Sequence, residues 1–357
     1  MDRDEGRGRS SWRRIRVNSP AGQTIPVAVV GASGYVGGEI LRLLLGHSGV
    51  RVVAVTARES AGRSIGDVHP NLAGVGLTLA PLAETGDAEV LFTALPNGET
   101  MHALGSLPNR PVIDASADFR LRDRATYESY YGTEHACFDR VGEFAYGLPE
   151  LFRDRFADLR SIAAPGCFAT ATILALAPIV AAALDDTIVV NAVTGSSGSG
   201  AKPKGVAHHP FRSDSFLAYE PFRHRHVPEI KQALADATGR DVDFVFQPHS
   251  GPFSRGIFVT AVVRLARPST PAEIRDVYEK AYSGEPFVRI VDGSPNVKWV
   301  RGTNRCDIGV ACDGKTAVVT AAIDNLMKGA ASQAVQAFNA RFGFDERTAL
   351  DLYAAAV

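Results

Sequence analysis

The sequence predicts a doubly wound, parallel α/β sheet followed by an α+β domain. Three observations lead there. Short apolar runs alternate with segments of helix length in the first part of the chain, a glycine-rich turn joins the first run to the first helix, and beyond Cys167 strand-like runs crowd together. At 357 residues, with 45% hydrophobic and 22% charged side chains, the chain is long enough for two cores. The expected boundaries are a disordered extension over 1–24, a first domain over 25–166 and a second over 167–325.

Residues 1–24 mix arginines with acids and lack an apolar core, so they do not form a secretory signal. "PVAVV" (26–30) reads as a buried strand. "GASGYVGGEILRLLLGHSG" reads as a glycine turn entering a helix, with Val36, Ile40, Leu43 and Leu44 on one face and Gly46 and Gly49 near its end. "RVVAVTA" (51–57), "EVLFTAL" (89–95) and "PVIDAS" (111–116) are further strands, with room between them for crossover helices. The stretch from Ile162 to Leu184 carries no charge, which raises the membrane question. Pro165-Gly166, Pro178 and the many alanines and threonines fit a strand and then a buried helix better. After it come the β-rich runs "DTIVVNAVTG", "VDFVFQP", "GIFVTAVVRLA", "PFVRIV" and "KTAVVTAAI", with helices expected at "VPEIKQALADAT" and "PAEIRDVYEKAYS". "AIDNLMKGAASQAVQAFNARFG" has the apolar spacing of one long helix.

A net charge of −1 gives no global field for nucleic acid or an anionic membrane, so any charged partner must be met locally. Cys137, Cys167, Cys306 and Cys312 lack metal-finger spacing, and they are too few for a disulfide framework in a chain this long. No metal is expected, and a reducing cytoplasm is.

Gly31, Gly34 and Gly37 form a G-x-x-G-x-x-G turn directly after a strand and opening a helix. Glycines permit the tight turn, and the helix start offers unpaired N–H groups and positive dipole to a pyrophosphate, so a dinucleotide site is expected. The second strand runs into "VTARES": Arg58 favours the 2′-phosphate of NADP(H), whereas Glu59 would repel it.

Cys167, if it begins a helix, has a thiolate favoured by the N–H groups there; otherwise it is a buried apolar thiol. In "YEPFRHRHVPEI", His224 and His226 flank Arg225 and can shuttle protons, or they belong to a solvated basic loop. Arg120, Arg255 and the loop "GSSGSGAKPKG" can meet anions, or serve as ion-pair partners and a mobile loop.

The ordered motifs "GASGYVGGEILRLL", "HPNL", "ALPNGE", "DASADFRL", "YGLPEL", "APGCFATA", "HRHVPEI", "SRGIF", "GTN" and "AIDNLMKGAA" resemble one family from Pro26 to about Gly343. It is the N-acetyl-γ-glutamyl-phosphate reductases of arginine biosynthesis, with their sisters that reduce an aminoadipyl phosphate carried on the amino-group carrier protein LysW. The resemblance implies a Rossmann domain, a glyceraldehyde-phosphate-dehydrogenase-like catalytic domain, and a last helix, over 326–357, returning to the first domain. It makes Cys167 the nucleophile and His224 the acid/base. It puts Gly31, Ser33, Gly34, Tyr35 and Val36 on the cofactor phosphates, Thr56, Ala57, Arg58 and Glu59 around the ribose, and Pro96 and Asn325 in the same cofactor set, Asn325 near the nicotinamide. Ser116, Arg120, Thr170, Ser196, His226 and Arg255 are the implied substrate contacts.

Arginine-pathway members usually carry Cys-Tyr-Pro-Thr, whereas this chain has Cys167-Phe168-Ala169-Thr170, closer to the carrier-dependent Cys-Asn-Ala-Thr. "HHPFRSDSFLAYEPFRHRH" and "VRGTN" point to the same branch. The expected partner is an acidic carrier protein meeting Lys202, Lys204, Arg212, Arg223 and Arg225; the arginine-pathway substrate is the alternative. A homodimer or homotetramer is implied. Three rivals stay open: an aspartate-semialdehyde-dehydrogenase-like enzyme, a silent NADP(H) sensor and a carrier scaffold without turnover.

Overall fold

The structure is a computed structural model that describes residues 24–203, 205 and 208–355. The expected extension over 1–24 lies outside the described residues except for Thr24, and so does Lys204.

The first sheet contains β1 (Ile25–Val30), β2 (Val50–Thr56), β3 (Val90–Thr93), β4 (Val112–Asp114), β5 (Phe144–Tyr146) and β6 (Ser161–Ala163). All its pairings are parallel, in the order β2-β1-β3-β4-β6-β5. β1 is buried along its whole length, as a central strand covered on both faces must be. The helix Tyr35–Leu45 crosses one face and ends at Gly46.

The second sheet contains β7 (Asp185–Thr194), β8 (Leu217–Ala218), β9 (Phe244–Ser250), β10 (Ile257–Ser269), β11 (Val288–Val291), β12 (Cys306–Cys312) and β13 (Gly314–Ile323). Its order is β11-β12-β13-β10-β7-β9-β8, of mixed direction. The helices Cys167–Ala181 and Pro271–Ala281 cover one face, and His226–Thr238 packs on the first of them. The other face carries a cross-strand row, Val245, Val189, Val262 and Val318, in register and not covered by the described residues, with Val245 43% and Val262 37% exposed.

The uncharged run does not stop at Pro178. Its helix continues to Ala181 and is buried from Phe168 to Val180. Proline lacks the N–H that would reach the carbonyl four residues back. That carbonyl, on Leu174, instead accepts the Tyr282 hydroxyl at 2.6 Å. No helix among the described residues is long and apolar enough to cross a membrane.

The single long helix expected over the last motif, 322–343, is not formed. β13 runs to Ile323, a turn covers 324–330, and the helix spans only Ala331–Phe342, ending at a left-handed Gly343 short of the expected 357. Asp324 is the reason. Its buried carboxylate accepts the Leu326 and Met327 N–H groups at 2.8 and 3.1 Å, an Asx-type arrangement that competes with helix. The helix itself packs against Tyr35–Leu45 and the first sheet.

Candidate active site

The glycine turn is built by exclusion. Gly31 has φ +87°, and an added Cβ would lie 2.7 Å from the Ala94 carbonyl oxygen. A Cβ on Gly37 would lie 2.3 Å from the Gly31 oxygen, so the helix can approach the strand only without one. The N–H groups of Gly31 and Ala32 both donate to Thr56 O at 3.0 Å, tying the turn to the end of β2. The helix ladder begins with Gly38 N to Gly34 O, and no side chain caps it. The amides of Tyr35, Val36 and Gly37 therefore precede the ladder, and a Cβ on Gly34 would meet only the Gly31 oxygen, at 3.8 Å. This open, donor-rich start fits a pyrophosphate. His69 of "HPNL" was not singled out from the sequence; its ring lies against Gly38, and its Nε2 is 2.8 Å from Ala32 O.

At the end of β2, Arg58 pairs with Glu99 at 2.9 Å, and Glu59 pairs with Lys202 at 2.9 Å. The acid that would repel a phosphate thus has a cation from the second domain beside it. Thr56 and Ala57 are buried, and Pro96 is exposed. A cavity of about 530 Å³ opens between the domains, lined by Tyr35, Glu39, His69, Ser196, Arg255 and Leu326 among others.

β6 leads through Pro165-Gly166 into the helix that Cys167 opens. From the far side, the 324–330 turn closes on it: a Cβ on Gly329 would lie 2.7 Å from the Cys167 Cβ. Asn325, 2% exposed, accepts the Gly256 N–H at 2.7 Å and donates to Ser197 Oγ at 3.0 Å. The thiol is not the pre-ionised group that a helix start alone predicts. Burial pushes it above its ordinary value, against the Phe168 N–H, Arg120 and Arg225, which pull it down. Deprotonation therefore needs a base.

His224 is 5% exposed and packs edge-on to Phe168, with ring centroids 5.4 Å apart. Burial, with Arg225 adding to it, pushes His224 down to about 4, so its imidazole is neutral at neutral pH and able to accept a proton. The His226 N–H lies 3.2 Å from the His224 Nδ1, a contact that puts the ring's own hydrogen on Nε2, so accepting a proton at Nε2 requires the other tautomer, with Nδ1 giving up that contact. His226 is held well below its ordinary value by burial; its ring lies where a Gly166 Cβ would be, and its Nδ1 is buried without a partner among the described residues.

Of the residues assigned to substrate, Ser196 lines the cavity. Arg255 also lines it, while pairing with Asp324 at 3.0 Å and Glu39 at 2.6 Å. Arg120 is buried: its Nε donates to Ala164 O at 2.8 Å and its Nη1 to Glu229 at 3.4 Å. Thr170 is buried in the first helical turn, its hydroxyl donating to Gly166 O at 3.2 Å. Ser116 is buried too, its hydroxyl donating to Asp114 at 2.6 Å. The organising acids Asp114 and Asp118 went unremarked in the sequence. Asp118 accepts the Gly98 and Met101 N–H groups at 2.6 and 3.0 Å, so "ALPNGE" and "DASADFRL" form one unit.

Residues 26–159 match the model of the semialdehyde dehydrogenase NAD binding domain, and residues 167–325 that of the semialdehyde dehydrogenase dimerisation domain. An N-acetyl-gamma-glutamyl-phosphate reductase of Methanopyrus kandleri is 44% identical, over 92% of this chain and 98% of its own. A putative LysW-L-2-aminoadipate 6-phosphate reductase of Thermomicrobium roseum is 42% identical, over 92% and 97%. Aspartate semialdehyde dehydrogenase II from Vibrio cholerae shares the fold, with a TM-score of 0.68 at 18% identity, over 89% and 98% of the two chains. A glycine turn built for a dinucleotide, a cysteine at a helix start, and relatives matched over nearly their whole length place the chain in the semialdehyde dehydrogenase family, as an oxidoreductase of its phosphate-reductase branch.

Proposed function

We propose that the chain reduces an acyl phosphate to its semialdehyde through a thioester on Cys167, with NADPH as reductant. The observation that carries this reading is the thiol at a helix start, with His224, an imidazole held neutral by burial, packed on Phe168, the residue after it. His224 takes the thiol proton; the thiolate attacks the acyl carbonyl, a C–S bond forms, the C–O bond to phosphate breaks, and phosphate leaves. NADPH, which the glycine turn and Arg58 would hold, would supply the hydride that reduces the thioester carbonyl. The C–S bond then breaks as the carbonyl re-forms, regenerating the thiolate and releasing the aldehyde, the proton that His224 took from the thiol having gone to the departing phosphate. N–H groups at the helix start steady the carbonyl oxygen as charge builds on it. Arg58 recognises the 2′-phosphate, with Lys202 offsetting Glu59.

The acyl group is attached to an acidic amino-group carrier protein. Phe168-Ala169 after the thiol supports this, as do exposed Phe211, Phe216 and Phe222 among Arg212, Arg223 and Arg225 beside the site. Free N-acetylglutamyl phosphate is the second reading, favoured by the 44% identity to the Methanopyrus kandleri enzyme. The active unit is a homodimer joined through the uncovered face of the second sheet. NADPH oxidation measured side by side on a carrier-bound acyl phosphate and on N-acetylglutamyl phosphate tests the reading. Turnover is expected on the carrier-bound substrate, with a loss of at least about 10³-fold in Cys167→Ser. Activity on the free substrate alone overturns the carrier assignment, and full activity in Cys167→Ser overturns the thioester.

A further inference from the structure

Glu229, on the first turn of the helix His226–Thr238, is 1% exposed. Its carboxylate accepts the Gly166 N–H at 2.8 Å, the Tyr146 hydroxyl at 2.8 Å and the Arg120 Nη1 at 3.4 Å. Gly166 is the N-cap of the nucleophile helix, and its φ of −68° and ψ of 150° set the direction in which the chain enters Cys167. A buried N–H at such a position needs an acceptor, and this one has a carboxylate. The His226 ring, on the same helix, closes the space beside Gly166, so the cap is fixed from two sides by one element.

We propose that Glu229 is a positioning residue for the thiol: it anchors the Gly166 N–H and cancels the Arg120 charge, so that Cys167 keeps both its place and its protonation balance until substrate arrives. The proposal rests on the reading of Cys167 as nucleophile. Arg120 and Glu229 act on the thiol with opposite signs, and neither is solvated enough to be screened by water. The other charged or titratable groups that act on this pair or on the thiol are Asp114 and Tyr131 from the first domain, Tyr146 from β5, Tyr219 and Arg225 from the segment before the helix, and His226 on the helix itself, with His224 beside His226. Asp324 and Lys328, on the turn that closes over the thiol, are already paired with Arg255 and Glu150.

The test is the pH dependence of Cys167 alkylation by iodoacetamide, read by peptide mass spectrometry on the full chain, which needs no knowledge of the acyl substrate. Glu229→Gln is expected to move the alkylation midpoint down by about one pH unit, because Arg120 is left uncompensated, and to lower kcat at least about tenfold with the KM for NADPH unchanged. Arg120→Gln is expected to move the midpoint up, and the double variant to return it to the wild-type value. These opposite signs distinguish a charge balance from general loosening, and Arg120→Gln keeps the test open should Glu229→Gln fail to fold. An unmoved midpoint in both single variants, or movement in the same direction in both, overturns the proposal. Full turnover in Cys167→Ser would sink the thioester reading instead, leaving the alkylation shift to be judged separately.

Discussion

His224 shows how one residue's environment sets both chemistry and a weakness. Burial holds it near 4, so it is a neutral proton acceptor at neutral pH. In the unfolded chain it titrates at an ordinary histidine value of about 6.5. As pH falls from about 6.5 toward 4, the unfolded state takes up a proton that the native state refuses, so native stability drops through this window, and His226 acts in the same direction. The expected loss from His224 alone is about 3 kcal/mol across the window, most of it already present at pH 5. Urea unfolding at pH 7 and pH 5 checks it, and His224→Gln should remove part of the difference. The sequence made His224 and Cys167 legible as candidates because their residue types are chemically unusual in their settings. It did not reveal that burial raises the thiol, since that depends on what closes over the helix start.

At the scale of elements, the turn before the last helix was the least legible part. "AIDNLMKGAASQAVQAF" has helical spacing, yet Asp324 diverts its first third into backbone hydrogen bonds and Lys328 into the interior. The Lys328 ammonium is fully buried, bonded to Glu150 and to Gln336 at 2.7 Å, and Gln336 also holds Asn304 at 2.8 Å. This network joins "YGLPEL", "GTN" and the last helix, motifs far apart in sequence. A buried pair is costly to break because one charge is left without a partner. Lys328→Met should therefore destabilise by about 3–5 kcal/mol, and Lys328→Met with Glu150→Gln by much less, as measured by denaturant unfolding. β12 was missed for a different reason. "CDIGVAC" contains an acid and a glycine, and only the structure shows Asp307 paired with Arg289 at 2.6 Å and Gly309 backed against the Gly293 carbonyl.

In the whole molecule, the two-sheet architecture was readable because hydrophobic runs and the glycine turn report local structure directly, whereas the order of strands in the second sheet depends on pairings between distant segments. The row Val245, Val189, Val262 and Val318 lies on the face that the helices do not cover. Placing a charge in its centre, Val262→Asp, is expected to convert the proposed dimer to a folded monomer in light scattering at micromolar concentration; a wild-type monomer would remove the basis of the dimer proposal. The contact between Gly329 and Cys167 has a different kind of consequence. The segment that completes the thiol's surroundings lies far from Cys167 along the chain, at Gly329, so the two meet only through the fold. Loop-closure entropy makes so distant a contact depend on the packed sheets that carry it, so the thiol's reactivity is expected to appear with tertiary structure rather than with local structure.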